Sequence, residues 1–395
     1  MERVAARYVY PLDGHGPIFN GFVEYDSDST VLAVGPCAHP SEEEVFIDGA
    51  IVPGFVNSHC HVELSYMWKL FRKGTGMAGF IDQINELRDI KSLEEKTEDI
   101  RLWMERMWDR GVSAMADISN CSDSFAVKKA SPMYTRTFLE VFGTEPEDCA
   151  QVMEGVLKLK EVADGFGLDA SPTPHACYTM SPELLTAVSV EGLKSGFLSF
   201  HSEETVEEED MIRFGRGAMW ENRKAAGMSV PPVTGDSSLK YFIDRLLDAH
   251  PAPFDENILL VHEVCMDQEG IDAVKEVMNH PFIALCPCSN IFIHNALPPV
   301  SLMRSNGLKL TVGTDSLSSN DDLDMVRELY CLQSNFEGLG MEEMLTWACL
   351  NGAEFLGKQD VLGSISAGKR PGLVIIDNLD DEGSLTAGST SHRIV

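Results

Sequence analysis

Ile51-Val52-Pro53-Gly54-Phe55-Val56 runs directly into Asn57-Ser58-His59-Cys60-His61, an apolar stretch that ends in two imidazoles one residue apart. On an extended chain the side chains alternate with a period of two, so His59 and His61 project to the same side. A strand that ends this way offers two nitrogen ligands converging on one point, which suits Zn²⁺ or Fe²⁺. Two ligands do not make a site. The reading depends on whether other strand ends supply the rest.

Strand-like apolar runs recur at 51–57, 112–118, 134–142, 168–175, 197–201, 258–262, 282–287 and 308–315. Between them lie stretches with helical spacing, at 93–109, 148–163, 182–193, 268–278 and 322–335. Strands alternating with helices over roughly 300 residues predict an α/β fold, a (β/α)8 TIM-like barrel, whose active site lies at the C-terminal ends of the strands. His201, His262 and Asp315 each fall at such an end. The two termini differ in style. Residues 1–50 and 360–395 carry short β-like pieces broken by Gly, Pro and Asp, and neither end has the length to build a core alone. The economical expectation is one small β-sandwich domain made from 1–50 plus 360–395, beside a barrel of 51–359.

Composition narrows the function classes. With 62 acidic against 31 basic residues the formal net charge is −31, a surface that repels phosphate backbones and anionic membranes. No nucleic-acid polymer and no membrane is therefore expected as partner; the charge says little about a small-molecule substrate, because a pocket can differ in sign from the surface around it. No apolar stretch reaches membrane-spanning length, and Met1-Glu2-Arg3-Val4 opens no secretory hydrophobic region. Ten scattered cysteines form no CxxC pair, so they read as reduced core thiols in a cytoplasmic protein.

His201 is followed by Ser202-Glu203-Glu204. A third imidazole would complete the nitrogen set, and a carboxylate three residues on can serve the metal-activated water as acid/base without ligating the metal. Glu203 competes for that role, but the spacing favours Glu204. The acidic run that continues through Glu207, Glu208, Glu209 and Asp210 reads as a solvated helix start, where the dipole favours negative charge. Asp315 suits a weak metal ligand that shares the water's proton, and His262 suits a group that orients the water or polarises the substrate. Taken singly, each has an ordinary alternative: a hydrogen-bonded structural histidine, a helix N-cap, a surface charge. Together, at the ends of different β units, they favour a site. On the substrate side, Trp68 can wall a pocket near His61. Arg136 and Glu140 share one face of a strand, so Arg136 is either an anion anchor or the ion-pair partner of Glu140. Ser289, Asn290, Ser319 and Asn320 are loop residues able to cap or to touch a ligand.

These stretches, together with Pro174-His175-Ala176-Cys177-Tyr178-Thr179, Cys286-Pro287-Cys288-Ser289-Asn290 and Gly313-Thr314-Asp315-Ser316, resemble the amidohydrolase superfamily, in its cytosine deaminase and chlorohydrolase-like branch. The resemblance spans nearly the whole chain. It implies one divalent metal, Zn²⁺ before Fe²⁺, held by His59, His61, His201 and Asp315, with Glu204 as proton shuttle and His262 orienting water or substrate. Binuclear members carry a lysine at the end of strand four; here that place reads Ser171-Pro172-Thr173-Pro174-His175, which implies a single metal and gives His175 to the substrate. Arg136 and Glu140 lie near positions that relatives use on nucleosides. The implied activity is deamination of an aminated heterocycle, a purine-nucleoside-like compound in the narrower reading. Hydrolysis of a cyclic amide, a formimino group or a chlorinated ring is the alternative, and a barrel kept only for assembly or regulation is the non-enzyme one. Relatives are often dimers, which leaves room for a homodimer.

Overall fold

The computed structural model describes residues 1–39 and 45–395, so residues 40–44 of the expected N-terminal β segment lie outside the described residues. In chain order the strands are β1 (Glu2–Val9), β2 (Ile18–Tyr25), β3 (Val31–Pro36), β4 (Phe46–Pro53), β5 (Phe55–Cys60), β6 (Val112–Ser119) and β7 (Tyr134–Val141). They continue with β8 (Asp169–Pro174), β9 (Phe197–Ser202), β10 (Phe254–His262), β11 (Met278–Leu285), β12 (Lys309–Val312), β13 (Leu373–Asp377) and β14 (Thr390–Arg393). Two four-stranded sheets, β5-β6-β7-β8 and β9-β10-β11-β12, are parallel throughout. Parallel neighbours need crossovers, which helices such as Leu93–Asp109, Cys149–Phe166, Pro182–Leu193 and Gln268–Val277 supply. The chain is thus a mixed α/β protein. Among the described residues no helix is long and apolar enough to cross a membrane.

Alternation along the parallel strands sorts their side chains into two layers. Val56, Ala114, Ala116, Phe138, Leu259, Val261, Phe282 and Ala284, drawn from both sheets, share one buried cluster closed off by Phe355. The positions between them, among them Phe55, Met115, Leu139, Ile258, Leu260 and Ile283, belong to the larger core that includes the helices. The two sheets also touch at the C-terminal ends of their strands. The Asp315 N–H donates to the His59 carbonyl at 3.0 Å, and the His201 N–H donates to that of His175 at 2.9 Å. Asn57 adds a side-chain clamp, its Nδ2 donating to Thr314 Oγ1 at 2.8 Å and its Oδ1 accepting from the Thr314 N–H at 3.1 Å.

The apolar run read as one strand over 51–57 is divided. Ile51–Pro53 finishes β4 and pairs antiparallel with β13, whereas Phe55 begins β5 of a parallel sheet. Gly54 stands at the division because the chain is crowded there. A Cβ would lie 2.5 Å from the Pro371 carbonyl oxygen and 2.0 Å from Ser113 Oγ.

Strands from both termini come together, but in one six-stranded sheet, β14-β13-β4-β1-β2-β3, where a two-sheet sandwich was expected. The reason lies in β4. Its Ile51 turns to a local cluster with Val4, Val9, Val23, Ile365 and Leu373, while Ala50 and Val52 join the main core that also holds Trp103 and Met104 of the helix Leu93–Asp109. Each face of the sheet already has an apolar partner, so burial does not require a second sheet.

Candidate active site

Four side chains from three strand ends converge. His61 Nε2 lies 3.2 Å from His59 Nε2 and 3.3 Å from His201 Nε2. Asp315 Oδ1 lies 3.6 Å from His61 Nε2 and 3.7 Å from His59 Nε2. His59 and His61 end β5, His201 sits near the end of β9, and Asp315 follows β12. The backbone is bent to achieve this: Asp315 has a φ of 56° and His262 a φ of 77°, both in the left-handed region that L side chains enter at a cost.

These distances decide what the cluster can hold. Burial drives the pKa of His59, His61 and His201 below the ordinary histidine value, so all three are neutral imidazoles. Nitrogen lone pairs meeting at such distances without a proton between them repel unless a cation occupies the centre. Four N/O donors around a tetrahedral ion with bonds of ~2.0–2.1 Å would stand ~3.3–3.4 Å apart, close to what is found. Burial opposes ionisation of Asp315, but His61, His59 and His262 and the Ser289 hydroxyl outweigh it, and its carboxyl sits well below the usual range. Three neutral imidazoles and one carboxylate therefore fit a divalent metal.

Further residues hold these four in place. Ser289 and Ser319 both donate to Asp315 Oδ2, at 2.6 and 2.9 Å, leaving Oδ1 to face the histidines. His262 Nδ1 stands 3.1 Å from Asn290 Nδ2, an amide that only donates, so Nδ1 accepts and the ring proton sits on Nε2. That Nε2 lies 3.5 Å from Glu204 Oε1. Burial, then the charges of Asp315 and Glu208, raise the Glu204 carboxyl well above its ordinary pKa. Gly313 packs against His59 so closely that a Cβ would meet the His59 Cβ at 2.7 Å and its N and O at 2.8 Å. Gly313→Ala is expected to lower unfolding free energy in urea by ~1–3 kcal/mol through overpacking, and to weaken metal retention along with it. Unchanged stability would mean that β12 yields at this contact.

The acidic run after His201 is not solvated. Glu203, Glu204, Glu208 and Glu209 are all buried: the first two lie in the link directly after β9, and the helix Val206–Phe214 turns the other two inward, with Glu209 accepting from the Ser238 N–H. Glu208 Oε2 accepts from the Glu204 N–H at 2.9 Å and so fixes the backbone of the proposed proton carrier, while its Oε1 is buried without a partner. Burial raises Glu208 to about 8. The folded state then holds a proton between the ordinary carboxylate pKa and about 8, where the unfolded chain has lost it. Stability falls as pH rises through that window. Replacing Glu208 with glutamine is expected to flatten the decline between pH 5 and pH 8 by on the order of 1 kcal/mol or more, read from urea midpoints at the two pH values. Parallel pH profiles for variant and parent would remove Glu208 as the source.

The residues expected on the substrate side are distributed differently. His175 lies beside the metal cluster, its ring 4.6 Å from that of His201 and its Nδ1 2.8 Å from Thr179 Oγ1. Trp68 is partly exposed and donates its Nε1 proton to the Asp321 carbonyl at 2.8 Å, joining the loop after β5 to the loop after β12. Arg136 is not brought to the site. It lies at the start of β7, pairs with Asp169, donates to Ser171 Oγ at 2.8 Å and Ser195 Oγ at 2.7 Å, and lies over the Phe197 ring. Arg136 and Glu140 do share a face, but four residues of strand set them ~13 Å apart along it, so neither neutralises the other. Glu140, at the C-terminal end of β7, faces His201 Nδ1 at 3.3 Å. Burial raises its carboxyl to about 8 against the opposing pull of Asn120. Asn120 and Glu208 carry no signal in the sequence that marks them as site residues. Only Glu63, two residues after His61, carried a positional hint.

The fold is mixed α/β and the donor set fits a divalent metal; comparison with known proteins specifies the family. Residues 50–391 match the model of the Amidohydrolase family, and the chain belongs to that family. A 5-methylthioadenosine/S-adenosylhomocysteine deaminase of Moorella thermoacetica is 25% identical over 382 residues, covering 92% of this chain and 82% of its own. Helicobacter pylori aminofutalosine deaminase, solved in complex with methylthio-coformycin, superposes with a TM-score of 0.78 at 22% identity, over 98% of this chain and 94% of the other. An adenosine deaminase from Xanthomonas campestris with bound zinc gives a TM-score of 0.70 at 20% identity, over 95% and 84%.

Proposed function

We propose that this protein is a mononuclear metal-dependent aminohydrolase that removes the exocyclic amine of an adenine-nucleoside-like compound. The observation that carries the reading is the convergence of His59, His61 and His201 Nε2 with Asp315 Oδ1, with the protonatable Glu204 beside His262. His59, His61, His201 and Asp315 would hold the metal, and Zn²⁺ suits three imidazoles and a carboxylate. When bound, the metal supplies the Lewis acidity that makes water nucleophilic near neutral pH. The remaining work falls to the chain. Glu204 takes the proton given up by the attacking water and delivers it to the ring nitrogen next to the aminated carbon, so that the ring accepts the electron pair. His262, with its proton held on Nε2 by Asn290, donates toward the Glu204 side and keeps the reacting oxygen in line. Asp315, clamped by two serine hydroxyls, accepts the second proton of the water and passes it to the amine, which departs as ammonia while oxygen remains on the carbon. His175 lies where it can contact the heterocycle beside His201.

In the same reading the two parallel sheets are the halves of a (β/α)8 barrel that begins at Phe55, not at residue 51, and runs to about residue 359. The buried cluster drawn from both sheets, and the bonds between His59 and Asp315 and between His175 and His201, support it. The terminal sheet of β1–β4, β13 and β14, which reaches Pro53, is the companion domain. Free cysteines throughout suit a reducing compartment such as the cytoplasm. The test is ammonia release from adenosine, 5′-methylthioadenosine and S-adenosylhomocysteine beside pterins and chlorinated triazines. Ammonia from the adenine nucleosides is the expected result. Dechlorinated or ring-opened products without ammonia would replace the deaminase reading with the other hydrolase one.

A further inference from the structure

The same site contains a further buried carboxylate, Glu140, outside the four residues proposed to hold the metal. Glu140 Oε1 lies 3.3 Å from His201 Nδ1 and 4.0 Å from His175 Nε2, so one oxygen faces both a metal ligand and the imidazole beside it. Its other oxygen is occupied. Asn120 Nδ2 donates to Glu140 Oε2 at 3.1 Å and to the Glu140 carbonyl at 3.0 Å. Asn120 is itself held, since its N–H donates to both oxygens of Glu63 at 3.0 Å, with the Cys121 N–H adding a longer contact at 3.4 Å. Glu63 follows His61 by two residues, and the Val62 N–H between them donates to Asp117 Oδ1 at 2.8 Å. Hydrogen bonds thus link Glu63, just after His61, through Asn120 to Glu140 at the end of β7, whose Oε1 makes no hydrogen bond and stands 3.3 Å from His201 Nδ1.

The tautomer argument assigns the direction of the last link. His201 turns its Nε2 toward His61 Nε2 at 3.3 Å, the nitrogen that would give its lone pair to the metal. The ring proton then belongs on Nδ1, and the unpartnered Glu140 Oε1 is the carboxyl oxygen facing it, at 3.3 Å. A carboxylate on the far nitrogen of a ligating histidine fixes the ring's rotation and makes the near nitrogen a stronger donor.

We infer that Glu140 is a positioning residue that orients His201 for metal binding, and that Asn120, anchored by Glu63, holds Glu140 in that pose. The inference rests on the metal-site part of the aminohydrolase reading and does not depend on the substrate. It departs from the expectation that Glu140 meets substrate directly.

The test measures metal affinity by competition with a chromophoric chelator, together with the visible spectrum of the Co²⁺-loaded protein. Glu140→Ala is expected to weaken metal binding ~10–100-fold and to shift the Co²⁺ bands. Glu140→Gln keeps an acceptor oxygen, so it should recover most of the affinity and the parental spectrum. Should Glu140→Ala fail to fold, Asn120→Ala provides the second arm. It leaves every ligand and Glu140 in place and is expected to weaken binding severalfold with a smaller spectral shift. Parental affinity and spectrum in Glu140→Ala, or in Asn120→Ala if that variant has to serve, would overturn the inference, whatever happens to turnover. Absence of ammonia release from any substrate would sink the aminohydrolase reading and leave this result standing.

Discussion

Glutamine in place of Glu204 is expected to reduce kcat for deamination by ~10²–10⁴-fold, the usual contribution of a positioned general acid/base. Metal content should stay at the parental level. The argument is geometric. Glu204 lies 3.5 Å from His262 Nε2 and makes none of the close contacts that tie His59, His61, His201 and Asp315 together. Glutamine is nearly isosteric, keeps the acceptor oxygen, and cannot carry the proton from water to ring nitrogen. Burial already holds the Glu204 carboxyl in a state that binds a proton readily, the property such a shuttle needs. Near-parental kcat at full metal occupancy would move the role elsewhere, and buried Glu203 would be the next residue to test.

His61→Ala is the second large effect. His61 Nε2 is the donor atom common to the shortest contacts, with His59 on one side and His201 on the other. Removing it leaves two imidazoles and a carboxylate around an enlarged gap, so the loss should exceed the ~10–100-fold change expected for outer partners of a metal ligand. Dialysed His61→Ala protein is expected to carry well under one metal per chain by elemental analysis and to release ammonia only at background rate. Full metal occupancy with parental turnover in that variant would show that the histidine cluster is not the metal centre.

The sequence made the strand-end chemistry legible because period-two alternation and strand termini are local properties. His59, His61, His201, His262 and Asp315 are where that logic puts them. It was less informative wherever a residue's meaning depends on what lies across space. The 51–57 run looked like one strand because Gly54 interrupts neither apolarity nor extension; only the approach of Pro371 and Ser113 shows why the chain changes sheets there. Glu208 and Glu209 resemble ordinary first-turn acids, and their burial is imposed by packing against the β10 side, which no pattern along the helix announces. Arg136 and Glu140 illustrate the limit of alternation. It reports which face a side chain takes and says nothing about which end of the strand lies beside the chemistry. The hold of Asn290 on His262 and of Ser289 and Ser319 on Asp315 depends on loops meeting in space, so the sequence showed suitable side chains without their partners.

The central claim is that one metal, held by His59, His61, His201 and Asp315, makes this chain an aminohydrolase. Titrating metal-free protein with Zn²⁺ while following ammonia release from an adenine nucleoside such as 5′-methylthioadenosine tests it most directly. The account predicts no release without metal, a linear rise on addition, and a plateau at one equivalent per chain. Ammonia release by the metal-free protein, or none at full occupancy with any aminated heterocycle, would contradict it.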